Sequence, residues 1–492
     1  MLTYNVSPRE IAIPTIKSCF LFPWYIYKSF RLLYELSVPS KSVVKLVKAY
    51  LFFPYFVLKI YRTLLLRYNF ALENSKKETN RVLTIGKNDF YDEFVSIIIP
   101  VYNGGDDIKK LIPILKKQEK IKNIEIIAID SGSTDGTKDF LLNENVKVME
   151  IPKSQFSHSG TRNLGAKAAL GNILLFMTQD AIPEGTDWVF RLITPIVEYN
   201  TAASTCIEIP RPDCSVFSGV EIDNYKMIDT IGDRIVRLIS DKCPPEWWRE
   251  NAKLYDVACA VKKEIFDTFQ YRGDFGEDVD LSVRLLQAGY AISVLSSIQI
   301  IHSHERTGSY YFARSYLDTK TLSNIIPDFQ IRSRSLKNII KSALYTYIIL
   351  NILFKHIESL NDNYEPDMFI NNCMYYWREI SKNKLRKENF GSVSSNSDID
   401  NFFGLLINYF SFIKFKNMYY FDDLMYFLNF SVLNYLNIHY KQIDHYLKRM
   451  IIEALLKKFL MLLGNDFALY FCKHPQESNP IYIKLEEMSK GI

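Results

Sequence analysis

Four sets of side chains, far apart in the chain, are of types that do chemistry together. Asp180 closes the stretch Phe176-Met-Thr-Gln-Asp180-Ala-Ile-Pro183. A carboxylate at the mouth of a cleft can hold a hard divalent cation, Mg²⁺ or Mn²⁺, against a diphosphate. The plainer alternative is a turn bounded by proline. His302 and His304 stand two apart at the end of an apolar run. On an extended strand such residues face the same side, so both can reach one cleft, or one can serve as a metal ligand while a neighbour holds the other. Glu277 and Asp278 stand at a helix start, where the backbone favours ionised carboxylates. A carboxylate there can take the proton from a hydroxyl, or it can simply cap the helix. Asp130 ends another apolar run, where it can accept hydrogen bonds from a base or ribose, or cap the next turn. Arg162 and Asn163 follow Phe156-Ser-His158-Ser-Gly-Thr. Arg162 is suited to a diphosphate or sugar, although an exposed loop with a helix cap explains it as well.

The elements that must place these groups are legible from periodicity. Val95–Pro100, Ile124–Asp130, Val146–Ile151 and Ile173–Phe176 read as strands, the last a buried parallel strand flanked by Gly171. Between them, Asp106–Gln118 and Thr161–Leu170 read as helices. In Asp106–Gln118, Ile108, Leu111, Ile112 and Leu115 share one face. Strands alternating with helices predict an α/β domain with a parallel sheet, whose ligands sit beyond the carboxyl ends of the strands. Residues 185–260 read as less regular. A helix follows Glu277 and ends at Gly289, with Asp280 and Arg284 as a surface ion pair. The strand Ile292–Ile301 leads into the two histidines. Beyond residue 306 the chain reads as helical and rich in Tyr and Phe, with a loop at Gly391–Asp398 and an amphipathic helix over Tyr446–Leu463.

With 492 residues, two or three domains are expected. The division predicted is a basic helical arm at 1–75, an α/β domain at 91–325 and a helical region at 326–492. The arm holds ten Lys or Arg against two Glu in its first 70 residues, so the mild net charge of +5 belongs to it and the body is slightly acidic. That distribution speaks against nucleic acid as a partner. Cations set among aromatic and aliphatic residues suit a helix lying in a membrane interface, or equally one packed on the protein's own body. No run approaches the roughly 18 apolar residues of a membrane span, and the first residues lack a signal peptide's pattern. Seven cysteines without short paired spacings suit a reducing cytosol and indicate neither a disulfide framework nor a zinc site.

Taken in order, these residues resemble the inverting family 2 glycosyltransferases of the GT-A fold, over about residues 94–325. Val95-Ser-Ile-Ile-Ile-Pro100-Val-Tyr102-Asn103 resembles their opening strand. Asp130-Ser131-Gly132-Ser133-Thr-Asp135-Gly resembles their nucleotide-binding turn. Thr178-Gln179-Asp180 sits at their DXD metal motif, and Gly276-Glu277-Asp278 resembles the segment carrying their catalytic base. Within the family, Phe156–Asn163, Thr178–Ala181 and Ile301–His304 are similar to bacterial rhamnosyltransferase-like members. The resemblance implies Asp278, beside Glu277, as base. It implies Asp180 with His302 or His304 on Mg²⁺ or Mn²⁺. Pro100, Tyr102, Asn103, Asp130, the turn at Gly132, Arg162, Asn163 and Gln179 would face a nucleotide-sugar donor such as dTDP-rhamnose. The acceptor would be a glycan or lipid-linked glycan of a surface polysaccharide, and the place of action the cytoplasm, at the inner face of the cell membrane. Two departures stand out. Thr178 replaces the first DXD carboxylate, and Ile207-Glu208 replaces the Arg-Gln that often precedes the Pro-x-Pro-Asp run in the rhamnosyltransferase-like members. The Thr178 change leaves open a second reading, a non-catalytic sugar-nucleotide-binding scaffold. A dehydrogenase is disfavoured, since no Gly-x-Gly-x-x-Gly follows the first strand.

Overall fold

The computed structural model describes residues 88–228, 232–238, 240, 243–329, 333–381, 397–408 and 419–490. The predicted arm at 1–75 and most of the Gly391–Asp398 loop lie outside these residues.

The α/β part opens with β1 (Tyr91–Val101), α1 (Gly105–Lys116), β2 (Ile121–Asp130), α2 (Thr137–Asn143), β3 (Lys147–Glu150), α3 (His158–Ala168) and β4 (Ile173–Met177). It continues through β5 (Ile182–Pro183), α4 (Trp188–Glu198), β6 (Ala203–Ile209), α5 (Val216–Ile228), β7 (Arg234–Val236), α6 (Pro245–Asn251) and β8 (Ala258–Lys262). It closes with α7 (Lys263–Phe269), α8 (Glu277–Gln287), β9 (Ile292–Ile301) and α9 (Gly308–Ile325). The strands form one nine-stranded sheet in the order β3-β2-β1-β4-β8-β6-β9-β5, with β7 also on β9. The β3-β2-β1-β4 half is parallel, as expected. The other half makes the sheet mixed rather than parallel throughout. There β8 runs antiparallel to both β4 and β6, and only β6 and β9 pair in parallel.

The parallel half follows from its residues. The run from Val95 to Ile99 is buried on both faces, which a central strand under crossover helices requires. The α1 stripe Ile108, Leu111, Ile112 and Leu115 covers one face, as its spacing predicts. Gly171 lets the turn before β4 touch β1, since a Cβ there would lie 2.5 Å from the Phe94 carbonyl oxygen. Residues 185–260, expected to be less regular, contain α4, β6, α5, β7, α6 and β8. The missed strand β6 (Ala-Ser-Thr-Cys-Ile-Glu-Ile) begins with small and polar residues. Its strand character comes from being sandwiched between β8 and β9 rather than from its own pattern.

The remaining residues are helical: α10 (Leu336–Ser359), α11 (Pro366–Ile380), α12 (Ser397–Asn408), α13 (Phe421–Tyr426), a π-helical turn at Phe427–Val432, α14 (Leu433–His439), α15 (His445–Lys473) and α16 (Pro480–Ser489). The helix expected at Tyr446–Leu463 thus runs ten residues further, to Lys473. Its extension passes Gly464, where a Cβ would lie 2.4 Å from the Phe312 carbonyl of α9. The core of this region takes in Val216, Phe217 and Val220 of α5 and Phe312 and Tyr316 of α9. The helical region is therefore built directly onto the two helices that leave β6 and β9. No helix among the described residues is long and apolar enough to cross a membrane.

Candidate active site

The carboxyl ends of β1, β2 and β4 meet where the first sequence motifs fall. At the end of β1, the Tyr102 backbone exchanges two hydrogen bonds with the Gln179 amide, at 3.0 and 3.1 Å. Gln179 thus ties the segment carrying Asp180 to β1. Pro100 is the penultimate residue of β1, beside Ile129 of β2. Asn103 is held at φ +45°. Its N–H donates to Ser133 Oγ at 2.8 Å, and its Oδ1 accepts from the Thr134 N–H at 2.8 Å. Asp130 is buried and turned onto its own loop, accepting from the Ser133 hydroxyl and from the Ser133 and Gly132 N–H groups at 3.1 and 3.3 Å. In this state its carboxylate caps the turn. Gly132 itself has φ +88°, a conformation that favours glycine.

Asp180 meets both histidines. His302 Nε2 lies 3.6 Å from Asp180 Oδ1, and His304 Nδ1 lies 3.4 Å from Oδ2. The two Nε2 atoms are 3.1 Å apart, and the rings are nearly perpendicular at 82°. One ligand atom from each of the three residues falls within a 4.8 Å cluster. Buried His302 uses Nδ1 on Glu208 Oε2 at 2.8 Å. A carboxylate on Nδ1 fixes the tautomer with the Nε2 lone pair free, the usual support of a metal-bound imidazole. Burial opposes the His302 charge, but Glu208 outweighs it and raises the pKa. Burial and the neighbouring His302 push His304 down to about 4, leaving it neutral and able to ligate. Burial also works against the Asp180 charge, but the two imidazoles hold its carboxyl below the ordinary range. One carboxylate and two imidazoles can hold a first-row divalent cation such as Mn²⁺ more readily than Mg²⁺, which keeps to oxygen ligands. The donor set therefore fits a divalent ion, with Thr178 replacing the second carboxylate.

The second cluster centres on Arg162. Its guanidinium, only 3 % exposed, lies 2.6 Å from Asp256 and 3.1 Å from Glu277. His158, Asp256 and Glu277 also have ligand geometry, but the guanidinium already supplies the positive charge there. Asn163 is committed to the backbone of Tyr271, donating at 3.0 Å and accepting at 3.1 Å. In this state both residues of the Arg162-Asn163 pair brace α3 against the segments before α8, instead of standing exposed. Asp278 Oδ1 accepts from its neighbour Val279 N–H at 2.8 Å. Burial, then the charge of Asp256, pushes Glu277 up to about 7 despite Arg162. Burial, then Asp256 and Glu277, raises Asp278 well above the carboxylate range. Asp256 and Glu277 share one guanidinium, and with Asp278 next in the chain the ionisation of each carboxyl opposes that of the others. The expected Asp280–Arg284 pair forms at 2.7 Å, but Arg284 also donates to the carbonyls of Phe269 and Gln270. It therefore fastens the preceding loop as well as pairing across the helix surface.

Asp256 bears on both clusters, acting on the charges of Glu277 and Asp278 and also on His302. Asp256, Glu208 and Arg211 were not anticipated from the sequence. Arg211 donates to the Asp180 carbonyl at 2.9 Å and pairs with Asp107 at 3.1 Å. Glu208 reaches His302 because β6 pairs with β9 in a register that no local pattern encodes. Only the Ile207-Glu208 departure marked its position.

Residues 96–249 match the family model described as Glycosyl transferase family 2. The chain carries a family 2 glycosyltransferase domain. Its curled mixed sheet with a helical C-terminal region fits the GT-A architecture expected of that family. Among curated relatives, the chain is 27 % identical over 231 residues to the O-antigen chain rhamnosyltransferase RfbN of Salmonella typhimurium, covering 46 % of this chain and 71 % of that one. It is 26 % identical over 239 residues to the O-antigen chain rhamnosyltransferase WbaN of Salmonella anatum, covering 46 % and 70 %. Among solved structures it is similar to the mannosyltransferase PcManGT from Pyrobaculum calidifontis in complex with GDP-Man and Mn²⁺. That similarity has a TM-score of 0.41 and 16 % identity, over 54 % of this chain and 72 % of that one.

Proposed function

We propose that the glycosyltransferase domain moves a sugar from a nucleotide-diphosphate donor to an acceptor hydroxyl with inversion. The observation that carries this reading is the convergence of a carboxylate–imidazole trio, Asp180 with His302 and His304, at the strand ends, together with the acids Glu277 and Asp278 that open α8. Asp278 is the base. Burial and its acidic neighbours make it a stronger proton acceptor, once ionised, than a free carboxylate. It takes the acceptor proton as the hydroxyl oxygen attacks the anomeric carbon from the face opposite the diphosphate. Glu277, held on Arg162, fixes the start of α8 and keeps negative charge beside the base. Asp180, His302 and His304 would hold Mg²⁺ or Mn²⁺, which when bound neutralises charge on the departing diphosphate. On the nucleotide side, Tyr102, Asn103 and the turn at Gly132 form the wall, with Asp130 available to a base or ribose once it leaves its turn.

For the donor, the two rhamnosyltransferase relatives favour dTDP-rhamnose, and for the acceptor a glycan or lipid-linked glycan of a surface polysaccharide. The arm at 1–75, the domain at 91–325 and the helical region at 326–492 remain the proposed division. The arm would place the enzyme at the cytoplasmic face of a membrane. Asp278→Asn tests the chemistry. Transfer should fall by about 10²–10⁴-fold, while calorimetry shows donor binding with Mn²⁺ retained. Near-normal turnover in that variant rules out the assigned base.

A further inference from the structure

The helical region reaches the metal trio through one ion pair, whose ammonium is buried and whose carboxylate is half exposed. Glu305 directly follows His304. One of its carboxylate oxygens accepts from the Ser215 N–H and the Ser218 hydroxyl of the α5 start, both at 3.1 Å. Ser218 Oγ and Tyr311 Oη also lie 2.9 and 3.3 Å from the His304 carbonyl, which accepts from both. The other Glu305 oxygen meets Lys457 Nζ at 3.4 Å. Lys457 belongs to α15, 152 residues further along, and its side chain is only 6 % exposed. Its further neighbours are Glu453 at 3.8 Å and the rings of Phe217 and Tyr311 at 5.8 and 5.7 Å. On the same helix Lys458 pairs with Glu221 of α5 at 2.9 Å. One helix thus grips the exits of the two strands that bring Glu208 and the histidines to the site.

We infer that Lys457 and Glu305 form a clamp that positions His304 for a divalent cation, making the helical region a working part of the metal site. The inference rests on the metal reading above. A buried ammonium is costly to keep unless it is paired, and a surface helix could pack on α9 with apolar residues alone. Here it spends its cation on the residue beside a candidate ligand. Outer partners that orient ligands govern metal affinity by about 10–100-fold.

Mn²⁺ binding to the full chain, read by calorimetry without donor, tests this. Lys457→Met should weaken Mn²⁺ at least tenfold, Glu305→Gln similarly, and the double variant no more than either alone. Lys448→Met is the control, because Lys448 is equally buried in α15 but pairs with Asp362 and the Leu360 carbonyl. It should lower the melting temperature while leaving Mn²⁺ affinity within twofold. If Lys457→Met fails to fold, Glu305→Gln alone decides by the same threshold. Unchanged affinity in the clamp variants, additive losses in the double variant, or an equal loss in Lys448→Met overturns the clamp. A wild-type chain that binds no Mn²⁺ overturns the metal reading itself.

Discussion

Asp256→Asn removes one negative charge from the Arg162 cluster, and its effect can be worked out in advance. Oxygens of Asp256 and Glu277 lie within 4.8 Å of each other. At an effective dielectric of about 20, two unit charges at that separation repel by ~3 kcal/mol, or roughly two pKa units. Arg162, in contact with both, offsets part of that repulsion. A net downward shift of about one unit is therefore expected for Glu277. The direction follows from its cause: Asp256 raises both Glu277 and Asp278, so its neutralisation lowers both. The base works only when ionised, and the acid limb of kcat/KM marks its protonation. That limb should move to lower pH, with activity persisting where the wild type has lost it. Arg162 keeps Glu277 but loses its shorter partner, so stability should drop by about 1–3 kcal/mol. The assay is sugar transfer across pH 4.5–8.5, with the fold of the variant checked by circular dichroism at each end. An acid limb that stays in place, or climbs, in a folded Asp256→Asn protein would refute this electrostatic account of the base.

Two further outcomes follow from other parts of the molecule. Gly171→Ala would set a Cβ 2.5 Å from the Phe94 carbonyl and 2.7 Å from Ser96 Oγ, forcing β4 off β1. A loss of about 1–3 kcal/mol in urea unfolding is expected, and an unchanged midpoint would show that the turn yields freely. Removal of residues 1–75 should abolish binding to vesicles containing anionic lipid, whereas equal binding by the shortened chain would dismiss the arm as an anchor.

Much of the site could be read before any coordinates, because its parts are short and local. The apolar run before Asp180, the two-residue spacing of His302 and His304, and the acids in the first turn of α8 each follow from the geometry of a strand or a helix start. The same holds for the α1 stripe and for Gly289, whose φ of +84° ends α8. In each case a few neighbouring residues carry both the pattern and its structural meaning. What they could not carry was the antiparallel placing of β8, the strand character of β6, or the partners Glu208, Asp256 and Lys457. Those depend on which strand lies beside which and on how α15 crosses the exits of β6 and β9. The deciding contacts span from about fifty to more than two hundred residues of chain, and their free energy is gained only when the sheet closes. The sequence alone thus determined which side chains would be offered for catalysis. Tertiary packing decided which charges surround them: it turned Arg162 inward onto Asp256 and Glu277, and gave His302 its carboxylate.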